Sequence, residues 1–224
     1  MGPVTVGIDV GQIHDPTAIV VAEQITEKTG RTLVREGGTP GAVWEEPETR
    51  VVYEIRHVQR LPLGMAYPAV AERLAEVVSR IEERDPQTLP WVLADATGVG
   101  RPVVEMLAAA LGSGVVLTPV TFTATERYEW GTAGTAGEIR VGKAFLVSRL
   151  QALLQTGSVR IPENDEARLL GEELRDYEIR VNQKANLVAG AMRAGTHDDL
   201  VTALGLAVLD EHAGRFGEGP RIWI

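Results

Sequence analysis

The stretch "VTVGIDVGQIHDPTAIVVAEQI", Val4 to Ile25, decides the fold. Residues 4–10 alternate and are rich in β-branched side chains, which reads as a strand; residues 17–25 do the same. Between them, "GQIHDP" is punctuated by Gly11 and Asp15-Pro16 and reads as a turn. So short a gap joins antiparallel neighbours, and the segment predicts a hairpin. Asp9 sits inside the apolar first strand, where an acid needs a reason to be.

Working outward, residues 28–48 are rich in Gly, Pro, Thr and Glu and predict a loop or a ragged extension of the hairpin. "RVVYEIRHVQR", residues 50–60, is a third strand whose charges suit a sheet edge. Residues 67–84 form a helix, with Val70, Leu74, Val77, Val78 and Ile81 as its apolar stripe, ended by Asp85-Pro86. "PWVLA", residues 90–94, is a short buried strand leading into Asp95, and residues 102–111 follow as a helix with Pro in its first turn. Residues 115–120 make another strand, and residues 121–140 lack periodicity and read as a flexible loop or ribbon. Beyond them come a helix over 143–155 with Leu146, Leu150, Leu153 and Leu154 on one face, a short edge strand at 159–162, an acidic helix over 163–177, a hairpin around "NQKAN" at 178–192, and an almost wholly apolar helix over 198–212. The order predicts an α/β fold: a mixed sheet, its first three strands antiparallel and the later ones parallel, flanked by helices. We expect one domain over residues 1–224, with 213–224 as a tail.

No apolar run approaches the roughly 20 residues a membrane span needs, and the N-terminus has no signal-peptide pattern, which predicts no membrane association and no export. The absence of cysteine excludes disulfides, thiolate catalysis and Cys-zinc sites. A net charge of −9 speaks against an indiscriminate nucleic-acid clamp. Yet all the basic residues except Lys28, Lys143 and Lys184 are Arg, the better fork for phosphate.

Three acidic positions share a feature. Asp9 is near the end of the first strand, Asp95 ends the "PWVLAD" strand, and Asp198 and Asp199 open the last helix, "GTHDDLVTALGLAVL" at 195–209. Each borders a segment that belongs in the core, and strand ends in mixed sheets are where sites form. Taken singly, Asp198 or Asp199 reads as a helix cap and Asp95 as a turn former. Taken together, two carboxylates about 4 Å apart repel by roughly 4 kcal/mol at an effective dielectric near 20. Converging acids therefore bind protons or a hard cation, and an oxygen-only site suits Mg²⁺ or Mn²⁺.

The segments "GIDVGQIHDPTAIVV", "LADATGVGRPVVEML", "VGKAFLVSRLQALLQTGSVRIP", "EARLLGEELRDYEI" and "GTHDDLVTALGLAVL" occur in an order that resembles the C-terminal nuclease domain of the large terminase subunits of tailed bacteriophages. The resemblance covers most of the chain; its most specific parts are the "HDD-L-x-x-A-L-x-L-A" and "D-x-x-G-x-G-x-P" blocks, taken together. It implies an RNase H-like fold and a two-metal endonuclease that cuts concatemeric DNA during packaging. Asp9, Asp95 and Asp199 would bind two Mg²⁺ or Mn²⁺ ions with Asp198 assisting, although either of the adjacent acids can be the direct ligand. His197 would shape the turn or support the site. Lys143 would contact the scissile phosphate, and Arg140, Lys184 and Arg193 would follow the backbone of double-stranded DNA. Asp15 reads as a turn residue. The implied partners are the terminase ATPase domain, the small terminase subunit and the portal, in the host cytoplasm. That ATPase domain precedes the nuclease in large terminases, and here the first strand begins the chain, which suggests an excised domain or a standalone relative.

Rival readings follow from the same residues. "GEIRVGKA", residues 137–144, imitates a phosphate-binding loop but has Ala144 where a hydroxyl belongs. The actin, Hsp70 and sugar-kinase group shares the core fold but uses two domains and a second phosphate block richer in Gly and Thr than "DATGVGRP". Holliday-junction resolvases and transposases share the acids, and a catalytically inactive docking domain would share only the fold.

Overall fold

The computed structural model describes residues 2–11, 15–36, 43–112, 114–124, 128–130, 137–181, 187–191 and 197–209. The hairpin at its start is β1 (Val4–Asp9) and β2 (Ala18–Glu36), antiparallel with Asp9 opposite Ala18. The third strand, β3 (Val43–Arg60), pairs with β2 along almost its whole length, Ala18 facing Arg60 and Glu36 facing Val43. Of the two readings offered for residues 28–48, the described parts, 28–36 and 43–48, are the extension of the hairpin, a two-stranded ribbon. Its outer half is solvated on both faces, so no apolar alternation marks it. The register shifts between Lys28 and Thr32, where Gly30 takes φ 82°.

After α1 (Tyr67–Arg84) the chain enters the middle of the sheet. The strand β4 (Trp91–Asp95) runs parallel to β1, with Ile8 beside Ala94. The helix α2 (Arg101–Leu111) follows, and then β5 (Val116–Thr123), parallel to β4 with Asp95 beside Val120. The aperiodic segment holds two short strands, β6 (Tyr128–Trp130) and β7 (Ile139–Gly142), the latter parallel to β5. The phosphate-loop imitation is therefore half strand, running straight into α3 (Lys143–Gln155). The helix α3 leads to β8 (Val159–Arg160) and α4 (Asp165–Asp176). Next, β9 (Tyr177–Val181) and β10 (Leu187–Ala191) form a separate two-stranded sheet, and α5 (Asp199–Ala207) ends the described elements. The tail expected over 213–224 lies outside the described residues.

The main sheet runs β6-β7-β5-β4-β1-β2-β3-β8, antiparallel around β2 and parallel from β1 through β7, apart from edge strand β6. Its third strand is not an edge, contrary to the expectation from its charges, because β8 pairs with Tyr53 and Glu54. The charges are instead absorbed by neighbours: Arg56 pairs with Glu23 at 2.7 Å and Glu54 at 2.6 Å, and Glu27 with Arg50 at 3.3 Å and Arg160 at 2.6 Å. Among the described residues no helix is long and apolar enough to cross a membrane.

Each face of the sheet has its own helices. The stripe on α1, with Val103 and Leu107 of α2, covers Val4, Val6, Ile8, Ile19 and Val21. On the other face α3, α4 and α5 cover Ala18, Val20, Leu93, Val120 and Ile139. All nine residues of α5 are buried, as an apolar-all-round helix requires. Two glycines let it in so deeply. A Cβ on Gly7 would lie 2.0 Å from the Ala203 carbonyl oxygen and 2.6 Å from the Ala207 nitrogen; one on Gly205 would lie 2.1 Å from Leu146. The backbone of β1 is thus the bed on which α5 rests.

Gly7→Ala forces backbone against backbone, and we expect it to cost about 3 kcal/mol, the upper range for overpacking. Gly114→Ala, with open space around it, serves as the neutral control in the same urea unfolding measurement.

Candidate active site

The register aligns the acids before any side chain is considered. Asp9 faces Ala18, and Ala18 faces Arg60. Ile8 lies beside Ala94, which brings Asp9 beside Asp95, and Asp95 in turn lies beside Val120, next to Ile139. One transverse row, Ile139–Val120–Asp95–Asp9–Ala18–Arg60, therefore crosses six strands on the face that α5 covers, with strands roughly 4.8 Å apart. The helix completes it. From the Gly7–Ala203 contact, two residues along β1 and four back along α5 each travel about 6 Å. Asp9 and Asp199 thus reach the same end of the molecule.

Side-chain electrostatics show the convergence. Asp9 is held well above the ordinary carboxylate range, first by burial and then by Asp95, with Asp198 and Asp199 adding to the rise and Lys143 opposing it. Asp95 is raised too, chiefly by burial and also by Asp198; hydrogen bonds from Thr97 and the charge of Lys143 pull the other way. Asp199, only 4% exposed, is raised by burial and lowered by Arg60. Asp9, Asp95, Asp198, Asp199 and Lys143 thus share one electrostatic neighbourhood.

The plain readings of the acids also have structural content. Asp95 accepts a hydrogen bond from the Thr97 amide at 2.7 Å, a true turn contact. Asp198 occupies the N-cap position of α5, but its side chain makes no capping bond. That job belongs to Glu173 of α4, whose Oε2 accepts from the Leu200 and Val201 amides at 3.0 and 3.2 Å. Asp198 and Asp199 are drawn apart by two cations. Lys143 Nζ, which also lies 5.9 Å from the Phe122 ring centre, donates to Asp198 Oδ2 at 2.8 Å. Arg60 Nε donates to Asp199 Oδ2 at 2.9 Å, and the other arm of its guanidinium pairs with Glu173 Oε1.

Among the described residues, no group of three or more His, Asp or Glu side chains stands ready to cage a metal ion. The donor chemistry nonetheless fits one. Asp199 Oδ1 is buried without a hydrogen-bond partner, and burial and like charge make ionised carboxylates costly here unless a cation joins them. Mg²⁺ commonly takes only one or two carboxylates and completes its shell with water and phosphate oxygens, so a preformed cage is not needed.

The remaining sequence candidates scatter. Arg140 is exposed on β7, Asp15 is exposed in the turn before β2, and Lys184 and Arg193 lie outside the described residues. His197 is half-buried and lines a cleft with Pro16, Arg60, Leu61, Pro62, Leu63 and Leu169. Sequence reasoning missed Arg60, Glu173 and Tyr177. Glu173 had left a trace: an acid three residues after Leu170, on the buried face of α4. The Tyr177 hydroxyl is buried without a partner, and its ionisation is pushed far up by burial and by the charges of Asp198 and Asp9.

The same chain path is found in solved structures. The large terminase nuclease of a thermophilic phage, solved with bound magnesium, is 21% identical with TM-score 0.51, covering 92% of this chain and 79% of that one. The large terminase nuclease domain of a Thermus phage is 20% identical with TM-score 0.52, over 93% and 79%. The human cytomegalovirus terminase nuclease domain, soaked with manganese, is 12% identical with TM-score 0.56, over 92% and 82%. Among curated proteins none matches the chain. The fold is therefore RNase H-like. Residues 41–211 match the family described as the terminase RNaseH-like domain, and the chain belongs to that family.

The raised carboxylates set a pH dependence. With divalent ions chelated, the folded protein holds protons on Asp9, Asp95 and Asp199 more tightly than the unfolded chain, whose carboxyls titrate near 3.8. Their contribution to stability is present at and below that pH and is lost as pH rises through the raised folded values. Asp9→Asn should therefore melt above the wild type at pH 8 in chelator, with the gap closing toward pH 4; equal melting temperatures at pH 8 would contradict the account.

Proposed function

We propose that this chain is a divalent-metal-dependent endodeoxyribonuclease, the domain of a phage DNA-packaging terminase that hydrolyses phosphodiester bonds of concatemeric DNA. The observation that carries the reading is the meeting of Asp95 and Asp9, in the middle of one sheet row, with the Asp198–Asp199 pair at the head of α5, in a chain of the terminase RNaseH-like family. The relatives solved with magnesium or manganese support Mg²⁺ or Mn²⁺ as the cofactor, and two ions would suit this number of acids.

Asp9, Asp95 and Asp199 would hold the ions, with Asp198 assisting. When bound, such ions activate a water in line with the phosphorus and stabilise the departing oxygen. The chain's own part is rigidity. Asp9 and Asp95 are set by parallel strand pairing, and Asp199 by a wholly buried helix, so the acids cannot drift apart to relieve their repulsion. Lys143, at the first turn of α3, is placed to exchange its bond with Asp198 for one with a DNA phosphate. Arg140, Lys184 and Arg193 would contribute backbone contacts, making affinity salt-dependent and weakly sequence-selective.

The acidic surface makes double-stranded DNA a poor ligand for the domain alone. An ATPase motor domain, the small terminase subunit and the portal would deliver it, in the host cytoplasm. The same acids would also serve a junction resolvase, but nothing among the described residues favours a four-way junction over a duplex.

Plasmid nicking in Mg²⁺ or Mn²⁺, abolished by chelator, tests the reading. Asp95→Asn should reduce nicking by more than the roughly 10–100-fold that loss of an outer partner costs, while the protein remains folded. Wild-type nicking by that variant would remove Asp95 from the site.

A further inference from the structure

Arg60 enters the site from an unexpected quarter. It is the last residue of β3, two strands from Asp9, and reaches Asp199 because the intervening row position is Ala18, fully buried and small. Its guanidinium has two partners on two different helices: Asp199 at the head of α5, and Glu173 in the third turn of α4. Glu173 is itself pinned, since its second oxygen takes the Leu200 and Val201 amides. The three side chains and the first turn of α5 are therefore linked in a closed loop, by hydrogen bonds at Asp199 and at the α5 amides and by the Arg60–Glu173 ion pair. Glu173 and Asp199 are nearly sealed from solvent, and Arg60 is mostly so.

Asp199 keeps one oxygen outside the loop. Asp199 Oδ2 is occupied by Arg60, and Oδ1 is buried without a partner. A carboxylate free to rotate exchanges its two oxygens, whereas one held by a guanidinium fork keeps a single oxygen toward its neighbours. We propose that Arg60, braced by Glu173, is a positioning residue: it holds one oxygen of Asp199 and thereby presents the other to a divalent cation. This rests on the nuclease reading of the site.

The proposal has a signature that simple charge neutralisation lacks. If Arg60 only offset negative charge, its removal would leave the acids more negative and Mn²⁺ would bind more tightly. If it positions Asp199, removal loosens the ligand and Mn²⁺ binds more weakly, by the roughly 10–100-fold typical of lost supporting partners. The experiment is calorimetric titration of the whole chain with Mn²⁺ alone, with no DNA present. Arg60→Ala and Glu173→Gln remove the two halves of the brace, and Arg60→Lys keeps the charge without the fork. Thermal unfolding in chelator identifies the variants that remain folded, and Glu173→Gln, which preserves an acceptor for the α5 amides, keeps the test available if Arg60→Ala does not fold. Weakened Mn²⁺ binding by folded Arg60→Lys, which keeps the charge, accompanied by weakening in Glu173→Gln, which by itself would also weaken binding through its lost negative charge, supports the positioning role. Unchanged or tighter binding by both overturns it while leaving wild-type Mn²⁺ binding and nicking, and so the nuclease reading, intact. Absence of Mn²⁺ binding and nicking by the wild type would overturn both.

Discussion

The approach of α5 to β1 over Gly7 is the constraint on which the rest of the structure depends. A helix resting on a strand without an intervening side chain is fixed in height and along its axis, because backbone atoms meet backbone atoms. Its head then falls beside the end of β1, and the parallel pairing of β1 with β4 does the rest. Four acids come together through main-chain geometry, and their side chains need only point the way their strand or helix turn already dictates. Gly205 makes the corresponding room for Leu146, which seats α3 and brings Lys143 to the same corner.

That arrangement works against electrostatics, and the protein answers on both flanks. Burial raises Asp9, Asp95 and Asp199, and repulsion from neighbouring acids adds to the rise at Asp9 and Asp95. Lys143 on one side and Arg60 on the other each take one member of the Asp198–Asp199 pair. The two cations differ in kind. Lysine is a compact point charge on a flexible stem, suited to changing partners, whereas the arginine fork is built to hold planar groups in register. Arg60 with Glu173 accordingly suits the proposed positioning role, and Lys143, a third exposed and near the Phe122 ring, suits the proposed contact with phosphate.

Much of this was legible beforehand, and the exceptions have physical causes. The stripe of α1, the bounds of α3, the first hairpin and the switch from antiparallel to parallel pairing follow from periodicity and turn chemistry. For the outer half of the β2–β3 ribbon the sequence left a loop and an extension of the hairpin both open, since a strand wet on both sides carries no alternation. The charges on β3 suggested an edge because sequence cannot show that Glu23, Glu27 and Arg160 lie alongside to pair them. The acids stood out one by one as misfits against apolar segments. Arg60 and Glu173 did not, because an Arg ending a charged strand and a Glu in an acidic helix look like ordinary surface.

The sequence by itself determined most of the helices and central strands, that the sheet is mixed, and that Asp9, Asp95 and the Asp198–Asp199 pair sit at the borders of core segments. These are local properties, written in residue spacing and in the side-chain types that strands, helices and turns accept. Only the tertiary structure decided which cation each acid meets and that Glu173, rather than either adjacent aspartate, closes the first turn of α5. Residues 60, 173 and 199 are far apart along the chain and become neighbours only when strand register and helix packing are both in place.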